Sequence, residues 1–154
     1  MTIAISPITV DNWYACTQLK VNPEQLSVFP APVVYWIAES KYADEFELRA
    51  IYWKDELVGF IVYCTKPDND GNYWIPALMI DEIHQGKGYG KAALKMLIEF
   101  MQQFCCTRIM IGHRPNNHIA DRLYASLGFK KVSEELIDGE VIRLLEICLA
   151  TRTS

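Results

Sequence analysis

The 154-residue sequence has no surplus of positive charge: 15 Lys+Arg stand against 19 Asp+Glu, for a net charge of -4. Non-specific nucleic-acid affinity comes from dense Lys and Arg, so a general phosphate-backbone binder is excluded and no nucleic-acid partner is expected. Long hydrophobic runs are also missing. Charges or prolines cut every apolar stretch short of the roughly 20 residues that a spanning helix needs, which excludes a membrane helix. The opening MTIAISPITVDNWYAC has no basic segment and its apolar run stops at Asp11, so no secretory signal is expected and the expected location is cytoplasmic. The five cysteines (Cys16, Cys64, Cys105, Cys106 and Cys148) contain no C-x-x-C pair and no framework spacing. They are expected to be reduced, buried and free of metal. No Gly/Ser linker, internal repeat or low-complexity tract divides the chain, so residues 1–154 are expected to form a single domain.

What is present is a 51% hydrophobic composition, enough for a sizeable core and incompatible with disorder. Residues 2–8 alternate as a strand ended by Pro7. Thr9 or Asp11 can cap a helix to about Val21, and Pro30 and Pro32 open a second through Val33, Trp36, Ile37 and Tyr42. Two strands, Glu47–Trp53 and Leu57–Thr65, are joined by Lys54-Asp55-Glu56 as a hairpin, and Lys66–Asn72 is a turn cluster. Tyr73–Ile80 is almost wholly apolar, as a strand covered on both faces should be, and Pro76 predicts a bulge or splay within it. A glycine-rich turn, Gln85–Gly90, leads to a helix over Tyr89–Phe104 with Leu94, Leu97, Ile98 and Met101 on one stripe. A strand (Arg108–Gly112), a helix (Asn117–Leu127, closed by Gly128) and a hairpin of strands Phe129–Leu136 and Val141–Leu149 around Asp138-Gly139 complete the chain. The order β-α-α-β-β-β-α-β-α-β-β defines an α/β chain with a mixed sheet around one β-α-β unit.

The turn Gln85-Gly86-Lys87-Gly88-Tyr89-Gly90-Lys91 places three glycines where a buried strand meets a helix start. Glycines admit close backbone approach, and exposed N–H groups at a helix N-terminus favour phosphate, with Lys87 and Lys91 adding positive charge. Gly88-Tyr-Gly90-Lys-Ala-Ala93 formally fits the dinucleotide fingerprint G-x-G-x-x-A. That fingerprint needs an acid about 20 residues on, and Met101–Ala120 contains neither Asp nor Glu. No G-x-x-x-x-G-K-[ST] occurs either, so the dinucleotide and nucleotide-triphosphate readings drop to minor alternatives.

Ile80-Asp-Glu-Ile-His-Gln85-Gly-Lys-Gly88-Tyr-Gly90 resembles motif A, Q/R-x-x-G-x-G/A, of the GNAT superfamily of N-acetyltransferases. Asn117-His-Ile-Ala120-Asp-Arg-Leu-Tyr124-Ala-Ser-Leu-Gly128-Phe129 resembles that family's motif B, N-x-x-A-x-x-x-Y-x-x-x-G-F. Two motifs in the right order, one helix and one strand apart, are far more specific than either alone. The resemblance implies the acyl-CoA N-acyltransferase fold, a single α/β domain with a mixed, mostly antiparallel sheet and flanking helices. It implies acetyl-CoA as co-substrate and no metal. The pyrophosphate would be held by the loop Gln85, Gly86, Lys87, Gly88, Tyr89, Gly90 and Lys91, and the pantetheine arm by the strand end Met79-Ile80 and by Asn117. Tyr124 would be the general acid at the cofactor sulfur. Asn117 lies seven residues, about two turns, before Tyr124 and so shares its helix face, where it can also cap the helix.

A narrower similarity, Val21-Asn-Pro-Glu-Gln25-Leu-Ser-Val-Phe29 with the tail Asp138-Gly139-Glu140, links the chain to bacterial spermidine/spermine (diamine) N-acetyltransferases. It implies a small-molecule amine acceptor, a polyamine foremost. Relatives of this kind often carry an acid four residues before the Ile80 position, where this chain has Pro76. Asp81, Glu82, His84, His113 or an ordered water are then the candidates for the general base. The acidic clusters Asp44-Glu45-Glu47, Asp55-Glu56 and Glu134-Glu135 would attract a polycation or simply solubilise the surface. Trp13, Phe29, Tyr35, Trp36 and Trp74 either line an acceptor channel or belong to the core. Another amine acceptor (an amino acid, an aminoglycoside or a protein N-terminus) and a non-catalytic acyl-CoA sensor stay open. So does a homodimer through a strand edge near Val141–Leu149.

Overall fold

The computed structural model describes residues 2–21, 32–104 and 106–147. In chain order the elements are β1 (Ile3–Pro7), α1 (Trp13–Thr17), α2 (Val33–Ser40), β2 (Phe46–Trp53) and β3 (Glu56–Cys64). β4 (Tyr73–Ile75) and β5 (Ala77–Ile80) follow, then a single 3-10 turn at Glu82–His84 and α3 (Tyr89–Gln102). The chain closes with β6 (Arg108–His113), α4 (His118–Ser126), β7 (Lys130–Lys131) and β8 (Val141–Glu146). The expected order holds with one division: the strand expected over Tyr73–Ile80 is two strands. The first helix is one short piece, because Leu19–Val21 run on without helical bonding, and the hairpin strand after Gly128 shrinks to two residues. The segment Pro23–Phe29 and the cysteines Cys105 and Cys148 lie outside the described residues, whereas Cys16, Cys64 and Cys106 are buried, unpaired thiols.

The division at Pro76 organises the molecule. Proline has no N–H for a ladder, and here the chain changes partner across it. β4 pairs parallel with β6, whereas β5 pairs antiparallel with β3. Two four-stranded sheets result, β1-β2-β3-β5 and β4-β6-β8-β7, with β4 and β5 as the end strands that face each other. β8 has β6 along one side and the short β7 on the other, so the open edge expected near Val141–Leu149 is partly covered. The Asp138-Gly139 hairpin forms as its sequence predicts, with positive φ at both residues and Ile137 bridged to Glu140.

Two cores fill the faces. α3 and α4 cover Ile51, Ile61, Tyr63, Ile75, Ile109 and Ile111 with Leu94, Leu97, Met101 and Ala120, the expected apolar stripe. α1 and α2 cover Leu48, Ala50, Phe60, Val62, Ala77 and Met79 with Cys16, Val33 and Trp36. β3, packed on both sides, is therefore buried from Val58 to Cys64. A bulge at Val58, which has no partner between the Ile51–Gly59 and Tyr52–Leu57 pairs, sets the phase of these residues. Beside it, Gly59 lies against β5 so closely that an added Cβ would strike the Met79 carbonyl and come 2.8 Å from Ile80 Cδ1. Replacing Gly59 with Ala forces β5 off β3 and should cost about 1–3 kcal/mol, seen as a lower Tm in thermal denaturation. An unchanged Tm would show that β5 can move aside freely.

Candidate active site

Where β4 and β5 part, a cavity of about 440 Å³ opens between the two sheets and the N-terminal ends of α3 and α4. Among the described residues β5 has a strand partner only on the β3 side, so its other edge can bond a ligand laid along it, apart from the Ile80 carbonyl that Gln85 takes. Met79 and Ile80 both line the cavity, Ile80 turning its backbone to that edge and Met79 turning its carbonyl to β3.

The glycine turn forms the next wall. Gly86 and Gly88 take φ of 78° and 83°, left-handed backbone that a side chain resists. Gly88 is the residue on which α3 starts, and the first-turn N–H groups of α3 have no acceptor within the helix. Gly90 serves packing instead: a Cβ there would stand 3.4 Å from Ile80 Cγ1. Gln85 reaches back, its Nε2 donating to the Ile80 carbonyl at 2.9 Å, so the turn is tied to the end of β5. Tyr89 is buried with its ring stacked on Trp53 at 5.5 Å. Lys91 borders the cavity; Lys87 points to solvent and is the one residue of the expected binding set that does not line it.

α4 supplies the opposite wall. Asn117 caps it, its Oδ1 accepting from the Ala120 N–H at 3.1 Å, which leaves the side-chain NH2 for another partner. Tyr124 lines the cavity from a buried position, its ring 5.9 Å from His113 and 6.1 Å from Phe129. Burial pushes the Tyr124 phenol far above its usual range, and the negative charge of Glu140 adds to the shift. The phenol is therefore a hydroxyl across the whole working pH range, able to donate a proton but not to hold a charge beforehand.

A polar clamp sets the position of α4. Arg143 on β8 donates from Nη2 to Asp121 Oδ1 at 2.8 Å and from Nη1 to the Phe129 carbonyl at 2.8 Å. His113 at the end of β6 places Nε2 3.1 Å from the same Asp121 oxygen and Nδ1 2.7 Å from the Arg114 carbonyl. The hydrogen bond from Arg143, with help from His113, holds the Asp121 carboxyl below its usual range. Asp121 is three residues before Tyr124, so the clamp fixes the phenol's register as well.

The candidate bases fare differently. Both His113 nitrogens face acceptors, so neither lone pair is turned to the cavity. Asp81 is occupied in holding the Lys20 N–H at 2.7 Å, and Glu82 is exposed away from the cavity lining. His84, also a candidate base, is buried at the cavity wall with Nε2 3.3 Å from Glu56. The carboxylate that does border the cavity is Glu140, which the sequence reading noted only as part of a tail motif. Of the aromatic set, Trp74 lines the cavity; Trp36 belongs to the second core, and Trp13 and Tyr35 lie largely on the surface outside the lining. Phe29 is outside the described residues.

The architecture has known counterparts. The model of the acetyltransferase (GNAT) family matches residues 10–129. The chain is 34% identical over 153 residues to spermine/spermidine N(1)-acetyltransferase of Bacillus subtilis (strain 168), covering 96% of this chain and 100% of that one. It is 33% identical, with the same coverage, to the probable spermine N(1)-acetyltransferase of Bacillus subtilis subsp. natto (strain BEST195). Among solved structures, the ribosomal-protein-S18-alanine N-acetyltransferase of Escherichia coli shares the fold with a TM-score of 0.72 at 18% identity, covering 99% of both chains. The PaiA N-acetyltransferase of Thermoplasma acidophilum, solved in complex with coenzyme A, has a TM-score of 0.70 at 15% identity, covering 96% of this chain and 100% of that one. The chain belongs to the acetyltransferase (GNAT) family, and its class is that of the acetyl-CoA-dependent acyltransferases.

Removing the clamp tests its structural part. Asp121→Ala leaves Arg143 and His113 without their shared acceptor and should cost about 1–3 kcal/mol at neutral pH. Because the folded pKa is lowered, this contribution is complete above the unfolded carboxyl value of about 3.9 and is lost as pH falls through the lower folded value. The wild-type and Asp121→Ala melting temperatures should therefore converge in acid. A constant difference down to about pH 2 would refute the carboxylate's role.

Proposed function

We propose that this enzyme moves the acetyl group of acetyl-CoA to a primary amine of a polyamine or similar small amine, by direct attack in a ternary complex. The observation that carries the reading is that one cavity is bordered by an anion-favouring helix start, an open strand edge and the buried Tyr124 phenol. The loop of Gln85, Gly86, Gly88, Tyr89, Gly90 and Lys91 suits a pyrophosphate, through amides and helix dipole more than through side-chain charge. The β5 edge at Met79-Ile80 suits an amide-bearing arm that bonds like an added strand, with Asn117 facing it across the cavity. Identity to polyamine acetyltransferases over nearly the full chain supports the acceptor class.

The chemistry follows from this placement. The neutral amine attacks the thioester carbonyl, the N–C bond forms, and the C–S bond breaks as the thiolate departs. Tyr124 gives its proton to the sulfur and is reprotonated at the expense of the acylated nitrogen, so no net charge stays in the site. The high pKa of the phenol is compatible with this role, because a thiolate departing beside the buried phenol would be penalised by burial as well.

Thiol release measured against spermidine, spermine, amino acids and peptides tests the reading, with fastest turnover expected for the polyamines. Tyr124→Phe should lower kcat by about 10–1000-fold while acetyl-CoA affinity stays unchanged. An unchanged kcat would remove Tyr124 from the mechanism, and tight coenzyme A binding with no turnover of any amine would make the protein a sensor instead.

A further inference from the structure

We infer that Glu140, on the tail hairpin, is the carboxylate that receives the acceptor's ammonium and takes one proton from it, so that the neutral amine can then form the N–C bond. The inference rests on the acetyl-transfer reading above and names the base that reading leaves out.

The geometry is specific. Glu140 directly follows the Asp138-Gly139 turn, whose two positive φ values set the course of the chain into β8. Alternation along β8 puts Glu140 and Ile142 on one face, and that face meets Gly112 of β6. A Cβ on Gly112 would lie 3.1 Å from Glu140 Oε2 and 2.9 Å from Ile142 Cδ1. The carboxylate therefore lies over the bare backbone of Gly112 and borders the cavity beside Tyr124, where any larger β6 side chain would collide with it. Among the described residues no salt bridge or side-chain hydrogen bond occupies it, in contrast to Asp81, Asp121 and Glu56. It is half-buried, and its field reaches the Tyr124 phenol.

The groups around it allow the role. Arg114 places Nη1 near Gly139, 3.3 Å from where a Cβ would be, and neighbours the hairpin without forming an ion pair with Glu140. His113, Asp121 and Arg143 are spent on one another behind Tyr124. The chemical need is large: an alkyl ammonium with a pKa near 10.4 leaves on the order of one free amine in 10³ at neutral pH. At a half-buried carboxylate an ammonium–carboxylate pair becomes an uncharged amine and acid at reduced cost, because the transfer removes two partly desolvated charges at once. One ammonium proton thus passes to Glu140 and then to water, and the second proton lost by the nitrogen ends on sulfur through Tyr124. Pro76 makes this placement meaningful, since the central strand has no acid to do the same work.

Steady-state acetylation of spermidine over pH 6–10 tests the inference. Glu140→Gln should lower kcat/KM for spermidine about 100-fold at pH 7 with acetyl-CoA affinity and Tm unchanged. Its rate should then rise with pH as the free-amine fraction grows, closing the gap to wild type. Glu140→Asp should recover part of the loss, and Gly112→Ala, which displaces the carboxylate, should reproduce it. A Glu140→Gln enzyme with the wild-type kcat/KM and pH profile would overturn the inference while leaving the acetyltransferase reading intact. Wild-type protein inactive on every amine would instead sink that reading, so the two failures are distinguishable.

Discussion

Everything at the site depends on the parting of β4 and β5 at Pro76. Two consecutive strands of one apolar run would ordinarily continue in one ladder. Here the missing N–H of proline removes a ladder bond at the one point where the chain leaves β6 and joins β3. The cost of open backbone edges is tolerable only if something else bonds them, and the cavity between the sheets is where a linear, amide-bearing substrate can do so. Gly59 on the β3 side and Gly90 on the α3 side then let β5 pack tightly between its neighbours, so that the gap opens toward β4 and nowhere else.

Charge is distributed on the same plan. A protein of net charge -4 can bind an anionic substrate because the positive field is local, supplied by a helix start and turned-out amides. Its acidic surface is partly self-neutralised, with Asp44 paired to Lys66 and Glu47 to Arg49, both at 3.4 Å. On the α4 side, Asp121, His113 and Arg143 are consumed in holding the helix, which leaves the neutral Tyr124 phenol and the Glu140 carboxylate as the groups with chemistry to spare.

Much of this was legible in the sequence. The α3 stripe, the left-handed glycines and the Asp138-Gly139 hairpin are local events, governed by side-chain spacing and backbone sterics within a few residues. The splay at Pro76 was legible for the same reason, although the exchange of sheet partners was not, since the absence of one donor does not say which strand lies on either side. Lys87, within the glycine motif, is exposed and outside the cavity lining, a placement that the motif alone does not reveal. His84 and His113, candidate bases in the sequence, are buried and lie against Glu56 and Asp121, partners 28 and 8 positions away that the sequence does not pair with them.

Glu140 shows the boundary most sharply. The sequence by itself determined the helices, the hairpin, the glycine turn and the two motifs that place this chain in its family, because each depends on interactions between near neighbours. Only the tertiary structure decided that a carboxylate after the last turn lies across a glycine of β6 and borders the same cavity as the phenol of α4. That juxtaposition rests on strand register and sheet order, long-range packing choices that no local pattern of residues encodes.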